Sequence, residues 1–149
     1  MKWVPLLLAL LLAGCSEEWG VDQHGRALEA ERFEGRWLLV NYWAEWCGPC
    51  RTEIPELNRL GESEVWLQVV GVNFDGLQGE PLRKASESLG IRFPVLARDP
   101  SERLGLARPA GLPMSYLVDP QGRLRATLAG EQSAASVRAE LRRLGAPGG

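Results

Sequence analysis

The stretch Val40-Asn41-Tyr42-Trp43-Ala44-Glu45-Trp46-Cys47-Gly48-Pro49-Cys50 carries two cysteines two residues apart, directly after an apolar run that begins at Trp37. Trp37 to Trp43 is short, apolar and rich in aromatics, which reads as a strand buried on both faces. Beyond the cysteines, Pro49 suits a first helical turn, Ile54, Leu57 and Leu60 recur at helical spacing, and Gly61 is the expected stop. The spacing predicts a helix over Pro49 to Leu60, kinked at Pro55. A dithiol between a buried strand and a helix is the arrangement of a thiol-disulfide exchange centre.

The whole chain has 149 residues, which favours one domain with a real core. With 45% hydrophobic and 24% charged residues it is neither disordered nor fibrous. A formal net charge of −2 excludes an electrostatic nucleic-acid binder, because phosphate recognition needs a basic face. No repeat of fixed period is present. Of three cysteines, Cys15 is remote from the pair and needs its own explanation.

That explanation lies at the N-terminus. Met1 and Lys2 precede the apolar stretch Trp3 to Leu12, then small Ala13 and Gly14, then Cys15 and polar Ser16, Glu17 and Glu18. A basic start, a short hydrophobic stretch and small residues make an export signal too short to span a bilayer. Leu12-Ala13-Gly14-Cys15 resembles the bacterial lipobox, whose cysteine is acylated and becomes the first mature residue. The expected organisation is a signal peptide over 1–14, a lipidated tether over 15–20, a domain over 21–145 and a loose tail over 146–149. More than one acyl chain on Cys15 would anchor the protein stably in a membrane of the bacterial cell envelope. The pattern does not distinguish inner from outer membrane.

Along the domain, Asp22-Gln23-His24-Gly25-Arg26 reads as a hairpin turn, and the sole histidine, His24, as a turn residue rather than a metal ligand. Strands are expected over Val65 to Phe74, Phe93 to Ala97, Met114 to Asp119 and Arg123 to Leu128. The last two should form an antiparallel hairpin across Asp119-Pro120-Gln121-Gly122. Helices are expected over Pro81 to Leu89, Pro100 to Leu106 and Ala134 to Leu144, the last with Val137, Leu141 and Leu144 on one face. This alternation predicts an α/β fold, a mixed central sheet with helices on both faces.

Val40 to Cys50 resembles the active-site strand and loop of thioredoxins, and Gly111-Leu112-Pro113-Met114-Ser115-Tyr116-Leu117-Val118-Asp119 resembles the cis-proline segment of that superfamily. The helix and strand between Pro81 and Ala97, together with the export signal, make the chain most similar to the TlpA/ResA branch of extracytoplasmic thiol-disulfide oxidoreductases. The resemblance covers about Val21 to Leu144. It implies a thioredoxin-like fold with an α/β insertion between the second core strand and the cis-proline strand, protein disulfides as substrates, and a membrane thiol transporter as electron donor. It also implies no cofactor or metal, a monomer, and a periplasm-facing location; exported proteins, apocytochrome c among them, are the expected targets.

Physical chemistry assigns the cysteines. Cys47 sits just before the helix, where unpaired N–H groups and the positive dipole end favour a thiolate, so it is the expected nucleophile and should be solvent-accessible. Cys50, one turn further in, is the resolving thiol, and the Gly48-Pro49 turn lets the small ring close. Trp46 should contribute to an apolar docking surface. The resemblance further places Pro113 beside the nucleophile, with the Leu112 backbone pairing with substrate, and matches Glu53 to an acid near the cysteines. It departs from thioredoxin where Asn41 stands for a buried aspartate and Gly71 for a lysine. Gly-Pro between the cysteines, as in thioredoxin, favours reduction over oxidation. An oxidase or isomerase on the same scaffold, and a non-catalytic lipoprotein stapled by Cys47 and Cys50, remain as alternatives. A thiol peroxidase would need a lone peroxidatic cysteine in its own loop motif, and the sequence has none.

Overall fold

A computed structural model describes residues 19–147. The signal segment, Cys15 and most of the tether lie outside the described residues, as does the end of the tail. The elements run β1 (Trp37–Trp43), α1 (Gly48–Ser63), β2 (Leu67–Asn73), α2 (Gly79–Ser88), β3 (Val95–Leu96), α3 (Ser101–Leu104), β4 (Met114–Val118), β5 (Leu124–Ala129) and α4 (Ala134–Arg143), after a single 3-10 turn at Ala30–Arg32. Among them no helix is long and apolar enough to cross a membrane.

The five strands form one sheet in the order β3-β2-β1-β4-β5. β1 pairs in parallel with β2 and antiparallel with β4, and β2 pairs in parallel with β3. β4 and β5 form the expected antiparallel hairpin. Every residue of β1 and β2 is buried, as central strands covered on both faces require. Side chains alternate along β1: Trp37, Leu39 and Trp43 join a core with α1, α2 and α4, whereas Leu38, Val40 and Tyr42 point into a second core. That second core is closed by Leu28, Phe33, Leu106 and, at its margin, Leu104 of α3. Helical structure covers both faces, unequally.

Several boundaries differ from the sequence reading. α1 runs through Gly61 to Ser63. A Cβ on Gly61 would stand 3.3 Å from Val69 Cγ2, so this glycine lets the helix approach β2 rather than ending it. Trp19, placed in the tether by sequence, stacks on Phe33 at 4.1 Å, and its N–H donates to Leu28 O. The folded domain therefore includes it. Ala146, placed in the tail, is buried and donates to Leu141 O. α3 and β3 are shorter than expected and Val65 is exposed, because short apolar runs do not show where hydrogen-bond pairing ends.

Two turns use one device. In Asp22 to Arg26, the buried Asp22 carboxylate accepts from the N–H groups of His24 and Arg26 and from Arg26 Nε, while Gly25 takes φ +76°. Asp119 to Arg123 repeats this: Asp119 accepts from the N–H of Gln121 and Arg123 and from Arg123 Nε, with Gly122 at φ +77°. Burial opposes ionisation of both aspartates, but these hydrogen bonds outweigh it and hold their carboxyls below the usual range. His24 is exposed in its turn, as its position in the sequence implied.

Gly71 explains one departure from thioredoxin. A Cβ there would stand 2.9 Å from Trp43 Nε1, 3.0 Å from Phe93 Cε2 and 3.1 Å from Val95 Cγ2. The Trp43 indole and its neighbours occupy the space a lysine would need, so no side chain can enter. Gly71→Ala should therefore destabilise the protein by roughly 1–3 kcal/mol through overpacking, read as a lower urea midpoint with unchanged slope. An unshifted midpoint would mean the rings move aside freely.

Candidate active site

Cys47 leaves β1 four residues after Trp43 and occupies the N-cap of α1, with extended backbone at φ −83° and ψ 105°. Its Sγ is bonded to Cys50 Sγ and accepts the Cys50 N–H at 3.2 Å. One of the orphan donors of the helix start is thus aimed at this sulfur, and the first turn of α1 carries no acidic residue to oppose the dipole. In the disulfide form Cys47 is 3% exposed and Cys50 is fully buried. The order is the expected one, but Cys47 is less open than a free nucleophile would be. Its access is through the exposed rim of Trp46, Gly48 and Pro49.

Trp46 is 67% exposed, and its indole N–H donates to Asp75 Oδ2 at 2.9 Å. Its ring meets Phe74 edge-on at 6.4 Å, and the Arg108 guanidinium lies over the other ring at 4.7 Å from the Phe74 centroid. The result is an aromatic shelf of two edge-to-face rings beside the dithiol, finished by a cation. A shallow cavity of about 200 Å³ lies against it, lined by Phe74, Asn73, Gln78 and Arg108 among others. That is below the roughly 300 Å³ of ordinary small-molecule pockets, so the shelf suits a chain lying across it.

The Leu112–Pro113 peptide is cis, as the resemblance implied. Met114 pairs with Tyr42 of β1, which sets Pro113 at the end of the sheet from which the chain leaves toward Cys47. Pro113 is buried and Leu112 half-buried. Pro113 O accepts from Gly130 N–H, so its carbonyl is used within the fold.

Glu53 is fully buried, one helical turn after Cys50 on the same side of α1. Neither oxygen bonds Cys47 or Cys50. Oε1 accepts from Asn41 Nδ2 at 2.6 Å and Oε2 from the Gln132 N–H at 3.0 Å. Asn41 Nδ2 also donates to Ser115 Oγ at 3.0 Å, while Asn41 Oδ1 is buried with no partner among the described residues. Burial raises the Glu53 carboxyl to about 7; the Asn41 and Gln132 donors act in the opposite direction, and nearby Glu131 adds to the rise.

The sequence thus placed Cys47, Cys50, Gly48, Pro49, Trp46 and Glu53 on one strand-loop-helix unit, with Leu112 and Pro113 at the same end of the sheet; Cys15 is outside the described residues. It missed Phe74, Asp75 and Arg108 of the shelf, and Ser115 and Gln132 around Glu53. One available signal was Asn41 itself, a polar residue inside a strand buried on both faces, which must find a partner. Among the described residues no group of three or more His, Cys, Asp or Glu side chains is placed to hold a metal ion.

The Glu53 environment gives stability a pH dependence of definite sign. Below the ordinary glutamate value of 4.5 folded and unfolded chains both hold the proton, and above about 7 both have lost it. Between these limits only the folded chain holds it, so stability should fall as pH rises through the window, by on the order of 3 kcal/mol in all. Asp22 and Asp119 act the other way and only at lower pH, because their stabilisation is present above the ordinary aspartate value of 3.8 and is lost below it. Urea titrations of the disulfide form at stepped pH should show this fall, and Glu53→Gln should abolish it.

The sequence from residue 14 to 127 matches the AhpC/TSA family. The thiol:disulfide interchange protein HelX of Rhodobacter capsulatus is 34% identical over 103 residues, 68% of this chain and 57% of HelX, so the chain spans little more than half of that relative. The thiol-disulfide oxidoreductase ResA of Bacillus thuringiensis is 25% identical over 125 residues, covering 83% of this chain and 72% of ResA. Among solved structures, a putative thiol:disulfide interchange protein DsbE from Chlorobium tepidum superposes with a TM-score of 0.64 at 25% identity, over 87% of this chain and 93% of that one. The mixed sheet, the Cys47–Cys50 pair and these likenesses agree with the resemblance read from sequence: the chain has a thioredoxin-like fold and belongs to the AhpC/TSA family.

Proposed function

We propose that this protein is a thiol-disulfide oxidoreductase of the bacterial cell envelope, tethered through lipid on Cys15, that reduces disulfides of exported proteins. The observation that carries the reading is the Cys47–Cys50 disulfide at the α1 N-cap, with Cys47 Sγ held by the Cys50 N–H beside an exposed aromatic shelf. A buried structural staple needs neither feature. The likeness to the thiol:disulfide interchange protein HelX and the thiol-disulfide oxidoreductase ResA supports the same chemistry.

In the reduced enzyme Cys47 thiolate attacks one sulfur of a substrate disulfide. A mixed disulfide forms and the other substrate thiolate leaves with a proton from solvent. Cys50 passes its proton to the Glu53 carboxylate and attacks Cys47 Sγ, which releases the second substrate thiol and closes the Cys47–Cys50 bond. Two electrons have moved to the substrate. A carboxyl titrating near 7 is suited to this transfer, since it can accept and return a proton at neutral pH. Substrate lies across the Trp46, Gly48, Pro49 rim and along Leu112 beside Pro113. An external dithiol, supplied in the cell by a membrane thiol transporter, must restore the pair, because an oxidising compartment offers no soluble reductant. Apocytochrome c cysteines belong to the substrate class proposed, and the enzyme acts as a monomer on the periplasmic side of its membrane.

The full chain should accelerate reduction of insulin disulfides by dithiothreitol. Cys47→Ser should fall to the rate of dithiothreitol alone, and Cys50→Ser should accumulate mixed disulfides visible on a non-reducing gel. Wild-type rates equal to those of Cys47→Ser would sink the assignment. The tether has a separate check: Cys15→Ala should lose incorporation of labelled palmitate in cells and leave the membrane fraction.

A further inference from the structure

We propose that Asn41 and Ser115 are positioning residues forming a two-state switch, in which the Asn41 amide makes a half-turn whenever Glu53 gains or loses its proton. The inference deepens the reading of Glu53 as proton acceptor and rests on it.

The amide has one donor end and one acceptor end, and both neighbours lie at the same end. Nδ2 is 2.6 Å from Glu53 Oε1 and 3.0 Å from Ser115 Oγ, while Oδ1 is buried without a partner among the described residues. This orientation satisfies an ionised Glu53. A proton on Glu53 reverses the requirement. Oε2 already takes the Gln132 N–H, and among the described residues no acceptor is hydrogen-bonded on that side. On Oε1 the proton would meet Nδ2–H, donor against donor at the shortest contact in the cluster. A half-turn brings Oδ1 to the place of Nδ2, where it accepts from Glu53 Oε1–H and from the Ser115 hydroxyl together. Ser115 can serve both states because a hydroxyl accepts in one and, after rotation, donates in the other.

Each orientation leaves one end of the amide unpaired in the core, the carbonyl oxygen beside an ionised Glu53 and the NH2 group beside a protonated one. The balance between them is therefore set by the Glu53 proton. Asn41 is fully buried at the centre of β1, so water does not compete for either end. The other groups facing Glu53 do not alter the logic. β1 and β4 present neutral Asn41 and Ser115, the loop before α4 presents the Gln132 N–H and the Glu131 carboxylate, and Glu56 on α1 is engaged by the Ala134 N–H. In the exchange cycle the proton released by Cys50 protonates Glu53, and the turned amide then holds the acid until it gives the proton to a departing thiolate.

The test uses the full chain in its disulfide form in detergent micelles, with ¹⁵N on asparagine side chains and ¹³C on glutamate carboxyls, from about pH 5 to about pH 9 to bracket the Glu53 midpoint. The Asn41 NH2 resonances should titrate with the Glu53 carboxyl carbon. The NOE from those protons to Ser115 Hβ, strong at high pH, should fall by more than half below the midpoint. A carboxyl that titrates while this NOE stays constant, or a Glu53 that keeps one protonation state throughout, overturns the proposal. Asn41→Leu, which removes the charge-assisted bond to the carboxylate together with the weaker neutral bond to the acid, should raise the Glu53 midpoint and carry the pH profile of insulin reduction with it. A merely structural Asn41 would change rates and leave both midpoints in place. The spectra are of the resting disulfide and need no turnover, so their failure is separate from a failure to reduce insulin.

Discussion

Burial of β1 on both faces is the constraint from which the site follows. A strand covered on both sides cannot leave a polar side chain to water, so Asn41 at its centre must be paired within the protein or impose the full cost of desolvation. Its partner is a carboxyl brought in by α1, at 2.6 Å. That bond ties the central strand to the helix whose N-cap is Cys47, and the second carboxyl oxygen ties the same helix to the segment leading into α4. Glu56, three residues along α1, accepts the Ala134 N–H, so two carboxylates of one helix hold the entrance of another. The dithiol thus sits on an element held by three hydrogen bonds, one to the central strand and two to the entrance of α4.

That anchoring separates the roles of the two cysteines. Cys47 belongs to the cap, where the chain is still extended and the neighbouring Trp46, Gly48 and Pro49 face solvent. Cys50 belongs to the helix and shares its buried side with Glu53, Ile54 and Leu57. One sulfur lies at the rim next to Trp46, and the other lies on the buried side of α1, one turn before the Glu53 carboxyl to which the proposed cycle gives its proton. The division of labour is set by where the helix begins.

The parts of this arrangement legible in the sequence were those written in local chemistry. Cys47, Gly48, Pro49 and Cys50 show a cap and a first turn by residue type and spacing alone, and Trp37 to Trp43 shows a central strand by its unbroken apolarity. The Asp119-Pro120-Gln121-Gly122 turn announces its hairpin because Asp and Gly each have a fixed task there. What stayed hidden depends on side chains far apart in the chain. Ser115 reaches Asn41 across 74 positions, and Gln132 reaches Glu53 across 79. Gly61 misled because a glycine near a helix end usually stops it, whereas here the missing side chain makes room for Val69. Trp19 was assigned to the tether because a single tryptophan after a polar run has no periodicity to join it to the core.

Asn41 and Gly71, the two departures from thioredoxin, are one physical substitution. The two residues are register partners on neighbouring strands, and the Trp43 indole fills the space above Gly71. With that space closed a lysine has no place on the sheet, an aspartate at position 41 would lack its counter-charge, and the acid stands on α1 instead. The change of element has a consequence for proton transfer. An acid on the sheet would meet the resolving thiol across a strand-helix contact, whose spacing changes whenever the helix shifts. An acid three residues along the helix travels with the thiol, at the roughly 5–6 Å Cβ separation that helical geometry imposes. A helix that stays intact would keep that distance while the Cys47–Cys50 bond opens and closes, and would leave adjustment to the partner across the contact. Asn41 can make it by turning its amide without moving the strand.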